Sequence, residues 1–136
     1  MASGPFTPLQ YDSGQVVNLP MAASATVAKG DALAFASGYV QRATSSTAEI
    51  RYISLEDEVT TSGQHPEIKC LEVKGVRFLG YCTSTPSLAS HVGTKVDLTD
   101  HDSINESATT THVFFVESVV DATAKTVIGY FVQQNA

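Results

Sequence analysis

The sequence predicts an all-β fold: a sandwich or small barrel with an extended N-terminal arm and at most one short helix. Three observations carry this. No segment sustains a 3.6-residue apolar period. Short runs rich in β-branched and aromatic residues recur, among them EIRYISL, VFFVESVV and TVIGYFV. Turns rich in Gly, Ser and Thr separate them. Short strands at regular spacing with such turns point to sandwiches and barrels rather than to helix-covered sheets.

The most legible stretch is Val27 to Ala43, VAKGDALAFASGYVQRA. Lys29-Gly30-Asp31 reads as a tight turn in which Gly30 is free to take a positive φ. Leu33 and Phe35 then share one face of a short strand, Ser37-Gly38 turns the chain, and Tyr39-Val40 opens the next strand. The same grammar returns in VGTKVDLTDHDSINESA. Gly30–Phe35 aligns with Gly93–Leu98, and Tyr39-Val40 with Ser103-Ile104.

Residues 1–14 fit no period. Pro5 and Pro8 favour extended backbone, while Phe6, Leu9 and Tyr11 place apolar bulk on the arm. It reads either as a frayed end or as an arm that orders against a neighbouring subunit, with those three residues as anchors. Residues 15–136 are expected to form one barrel-like domain. Gln15–Leu19 is a strand stopped by Pro20. Glu49–Leu55 is a strand whose apolar parity shifts between Tyr52 and Ile53, implying a bulge or burial on both faces. Glu56–Pro66 is an acidic, turn-rich loop. Glu67–Val73 and Val76–Tyr81 are either two strands of a hairpin or one strand bent at Gly75. Thr83–His91 holds the one helical turn, opening at Pro86. Thr94–Leu98 alternates, and residues 100–111 form a polar loop around Ile104. Val113–Val120 and Thr126–Val132 are apolar on both faces, which puts them in the middle of the fold or in a subunit interface.

Composition narrows the function. A chain of 136 residues is most simply one domain. Charged residues are only 16%, against a typical value of about 25%, which suits a protein packed against others. Fourteen acidic residues face eight basic ones with no Lys/Arg cluster, so nucleic acid is not an expected partner. No apolar run approaches the roughly 18 residues of a membrane span, and no membrane partner is expected. The first ten residues lack a basic n-region and an apolar h-region, so no secretory signal is expected and synthesis is placed in a cytoplasm.

The chemistry-bearing residues give little. Cys70 and Cys82 are too few and too far apart for a zinc site and read as two buried or semi-buried free thiols, a disulfide being the alternative that a reducing cytoplasm disfavours. His65, His91, His101 and His112 each fall in or beside a polar loop and read as solvated. Asp97, Asp100 and Asp102, with His101 and Glu106 nearby, lack the spacing of a calcium loop. Glu56, Asp57 and Glu58 read as a solvated loop, or as a contact for basic residues of a partner. No nucleophile elbow, zinc-protease helix or phosphate loop occurs. No catalytic residue, cofactor or metal is expected.

The succession VAKGDALAF, SGYVQRAT, ISLEDEV and EIKCLEVKGVRF, followed by VGTKVDLTD, VFFVESVVD and TVIGYFV, resembles the head decoration (cement) proteins of tailed bacteriophages across residues 15–133. The likeness lies in the order of Gly turns and strands. Where that family usually places a Gly before the strand after the first polar loop, this chain has Arg51-Tyr52. The resemblance implies a β-barrel or β-tulip domain on the outer capsid surface of a virion. It implies homotrimers at three-fold or quasi-three-fold sites and the major capsid protein as partner. It implies no catalysis, the task being to clamp neighbouring capsid subunits. Phe6, Leu9 and Tyr11 are then the expected capsid or subunit contacts. The alternatives are a carbohydrate- or receptor-binding β module and, least favoured, a small β-sandwich hydrolase.

Overall fold

Phe114, Val116, Val127 and Phe131 alternate with Phe115 and Tyr130 on two adjacent strands, and this alternation builds the main wall of the molecule. The computed structural model describes residues 6–11 and 15–133. The remaining parts of the expected arm, 1–5 and 12–14, and the polar end 134–136 lie outside the described residues. The strands are β1 (Thr7–Pro8), β2 (Val16–Pro20), β3 (Thr26–Val27), β4 (Leu33–Ala36), β5 (Tyr39–Arg42), β6 (Tyr52–Ser54), β7 (Glu58–Val59), β8 (Glu67–Glu72) and β9 (Phe78–Tyr81). After the one-turn helix α1 (Leu88–His91) come β10 (Lys95–Asp100), β11 (Ser103–Asn105), β12 (Phe114–Asp121) and β13 (Thr126–Phe131). The chain is all-β, as its sequence predicts.

The larger sheet has six strands in the order β1-β9-β13-β12-β10-β11. It curls until Cys82, just past β9, meets Ile104 of β11 in a parallel bridge, which gives a barrel-like wall. Register shifts at Val116/Ser118 and Val119/Asp121 in β12 supply part of the bend. Two glycines let the layers approach. A Cβ on Gly129 would stand 1.9 Å from the Phe115 carbonyl oxygen, and one on Gly80 would stand 2.7 Å from Ile104 Cδ1 and 3.0 Å from the Phe6 ring.

A second sheet, β2-β8-β6, packs beside the β4–β5 hairpin and the short β3–β7 pair. It shields a smaller core of Met21, Val27, Leu33, Val40, Ile68 and Cys70, while Phe6, Phe78, Phe114 and Phe131 belong to the larger core.

Four expectations change. Lys74-Gly75 is neither a hairpin nor a bend in one strand: β8 belongs to the smaller sheet and β9 to the larger. Gly75 (φ +77) turns the chain from one to the other, with Val73 and Val76 on either side both buried in the larger core. The strand expected over Glu49–Leu55 shortens to Tyr52–Ser54, and of the two readings of its parity shift burial on both faces holds: Ile53 sits in the larger core and Tyr52 packs against the smaller one. Ile50 lies outside the ladder, its carbonyl accepting from Gln133 Nε2 at 2.8 Å, and it shares the larger core with Ile53. Residues 103–105, expected as loop, form β11. The recurrence already placed Ser103-Ile104 opposite Tyr39-Val40, and the two matching hairpins, β4–β5 and β10–β11, each follow a glycine of positive φ, Gly30 (φ 92) and Gly93 (φ 86).

The fourth change concerns the arm. Phe6 is 1% exposed, its ring 4.9 Å from Phe131 and 5.8 Å from Phe114. Its N–H donates to the Gly30 carbonyl at 2.9 Å. Thr7 and Pro8 pair with Leu79 and Phe78 as an edge strand. A division of the chain at residue 14 therefore does not hold for Phe6–Pro8, which complete the barrel wall. Proline at the edge costs no ladder bond there.

Candidate interaction surface

With Phe6 anchored inside, the chain emerges at Leu9 and Tyr11, which are 49% and 42% exposed. Of the three expected contact residues, the structure thus brings Leu9 and Tyr11 to the surface and commits Phe6 to the chain's own core. The Leu9 N–H donates to the Arg77 carbonyl at 3.0 Å, so Leu9 lies opposite Arg77. Gly129 pairs with Phe78, which puts Tyr130 beside Arg77 on the outward parity. Tyr130 pairs with Phe115, and Phe115 with Lys95. One line therefore crosses the sheet, from just past β1 and just before β9 over β13 and β12 to β10: Leu9, Arg77, Tyr130, Phe115, Lys95.

The geometry along that line is defined. The Phe115 and Tyr130 rings stack with centroids 5.1 Å apart. Arg77 reaches across β13 to Glu117, with Nε to Oε1 at 2.7 Å and Nη2 to Oε2 at 3.3 Å. The pair is bidentate, yet the Arg77 side chain is 66% exposed, so it adds little stability and mainly fixes the position of the guanidinium beside Glu117. Clefts flank it: Tyr11 and Gln15 line one side, Tyr130 and Gln133 the other. Sequence reasoning missed Arg77, Tyr130 and Lys95 as surface residues. It saw apolar residues on both faces of the closing strands, and only the register joins Phe115 and Tyr130 to Arg77 and Lys95.

The groups weighed for chemistry have structural partners. Asp31 is buried, and its Oδ2 accepts from the Ala28 N–H at 2.8 Å and from Arg42 Nε at 2.7 Å. His101 Nδ1 lies 2.9 Å from Asp31 Oδ1 and so carries the proton that the carboxylate accepts. His101 is thus no solvated loop residue, because its turn packs onto the Gly30 turn, where the Ala32 N–H donates to the His101 carbonyl. Its Nε2 faces Asp100 Oδ2 at 3.7 Å. His65 stacks on Tyr39 at 3.8 Å with Nδ1 3.0 Å from the Met21 carbonyl, and His91 Nδ1 accepts from the Ser87 N–H. His112 is exposed.

Asp97 does not join Asp100 and Asp102. It is buried under the loop before β12 and accepts the N–H groups of Thr110 (3.1 Å), Thr111 (2.7 Å) and His112 (3.0 Å). Burial alone would raise its pKa. The donors from His112, Thr111 and Thr110 outweigh that and hold the carboxyl below its ordinary range. Asp100, His101 and Asp102 do cluster, with ligand-type atoms within 4.8 Å, but His101 Nδ1 is committed to Asp31. In the other acidic loop, Glu56 accepts from the Lys69 N–H and Asp57 from the Lys29 N–H, so both carboxylates brace backbone.

Cys70 and Cys82 are buried free thiols. Burial pushes each up to about 12, with Glu56 adding to the effect at Cys70 and Glu106 at Cys82. Thiols so protonated are poor nucleophiles. Among the described residues no helix is long and apolar enough to cross a membrane. Comparison with protein-family models, curated proteins and solved structures found no match to this chain.

Proposed function

We propose that this chain is a structural virion protein, a decoration protein that binds the outer surface of a phage capsid and clamps neighbouring major capsid subunits, as a homotrimer. The observation that carries the reading is the placement of Leu9 and Tyr11: exposed apolar side chains held at fixed positions because Phe6 is locked in the core just before them. Apolar anchors on a rigid base are ordered before binding, so docking costs little conformational entropy. The barrel-like fold and the paired hairpins after Gly30 and Gly93 agree with the order of elements on which the resemblance rests.

The test is co-sedimentation with undecorated shells of the phage that encodes this chain. The wild type should saturate a fixed number of sites, and Leu9→Ser/Tyr11→Ser should bind at least roughly tenfold more weakly at an unchanged melting temperature. No sedimentation of the wild type would reject the reading. A second reading, a carbohydrate-binding module, draws on the clefts beside Arg77, where tyrosines and glutamines stand together. Glycan-array binding by an isolated monomer would favour it over the first.

A further inference from the structure

Charge is not spread evenly over this acidic chain. By register Lys95 lies opposite Phe115, Phe115 opposite Tyr130, and Tyr130 beside Arg77, so both basic residues fall on one line across the sheet. Asp100 at the end of β10 and Asp121 at the end of β12 lie off that line, in opposite directions, because the two strands run antiparallel. Lys74, exposed on the turn at Gly75, belongs with Arg77. Three clefts open along this line. Arg77 lines two of them, Gln133 two, and Lys95 and His112 the third. Among the described residues no carboxylate lines any of the three, although the chain has fourteen acidic residues against eight basic. An acid beside them, Glu117, is already paired with Arg77. Lys95 enters no salt bridge among the described residues.

We propose that this line, running from Leu9 over Arg77 and Tyr130 to Lys95, is the face that meets the capsid, and that what it meets is an acidic protein surface. The inference rests on the decoration reading and adds to it the docking face and the charge of the partner. Aromatic area at the centre, Tyr130 stacked on Phe115, gives the contact a core. Lys74 and Lys95 at the margins give it polarity. The chain as a whole carries net charge −6, so a face whose clefts hold basic residues and no carboxylate is favoured in an encounter with an acidic surface.

The test titrates undecorated shells with three forms of the protein at about 50 and about 300 mM NaCl. The forms are wild type, Lys74→Glu/Lys95→Glu, and Lys69→Glu/Lys125→Glu, the last carrying the same charge change away from this line. Wild-type binding should weaken with salt. The Lys74/Lys95 variant should bind at least roughly tenfold more weakly at low salt and lose most of its salt dependence, with the control within about twofold of wild type. Equal binding by wild type and the Lys74/Lys95 variant would overturn the proposal and leave the decoration reading standing. So would equal losses in both variants, displacement of the wild type by short duplex DNA, or salt-sensitive self-assembly without shells that Lys74→Glu/Lys95→Glu abolishes. No wild-type binding at either salt would remove the reading and the proposal together.

Discussion

Asp97 and Phe6 are the two residues whose roles depend most on burial. Asp97 replaces water with three backbone donors from one loop. Asp97→Asn leaves at least one N–H without an anionic acceptor and should cost about 1–3 kcal/mol, read by urea denaturation at neutral pH. Its folded pKa is depressed below the unfolded value of about 3.9. The stabilisation is therefore fully present above that value and is lost as pH falls through the folded pKa. The gap between wild type and Asp97→Asn should narrow on acidification below about pH 4. A gap that widens would contradict the assignment. Phe6→Ala empties a site bounded by Phe114, Phe131 and Gly80 and should cost roughly 3–5 kcal/mol, measurable in the same experiment. The thiols make a third expectation at this scale: Cys70 and Cys82 should stay unlabelled by a thiol reagent in the folded protein and react only on unfolding.

At the scale of elements, glycines set how closely strands approach. Gly129→Ala drives a methyl into the Phe115 carbonyl, which is backbone and cannot step aside. The variant should lose most of its cooperative thermal transition, whereas Gly38→Ala, where a Cβ meets nothing within 4 Å, should show only the modest cost of a positive φ. These elements also show what sequence could and could not reveal. The hairpin after Gly30 was legible because its turn and parity are local, and so was the first strand after Gly93, but its partner β11 was hidden among polar residues and read as loop. The closing strands, rich in β-branched and aromatic residues, were legible too. The corner at Gly75 was not, since local sequence cannot say which sheet receives a strand. β1 was missed because two prolines hid a two-residue edge strand, and the worth of Phe6 depends on room that Gly80 leaves seventy-odd positions later. His101 read as solvated because its partner, Asp31, is distant in sequence and is reached only when the two hairpin turns pack together. Of the candidate surface, Leu9 and Tyr11 were visible as apolar residues on a polar arm. Arg77 and Lys95 joined them only through strand register.

For the whole molecule, the proposed task is mechanical. A clamp must hold its shape while its partners are pulled, and two packed cores joined through the Asp31–His101 and Asp31–Arg42 contacts suit that demand. The claim is tested most directly by the temperature at which DNA-filled capsids release their DNA, followed with an intercalating dye, with and without saturating protein. The account predicts release several degrees higher in decorated capsids, and a return to the undecorated temperature with Leu9→Ser/Tyr11→Ser at the concentration that saturates with wild type. Release at the same temperature from capsids shown to be fully decorated by the wild-type protein would contradict it.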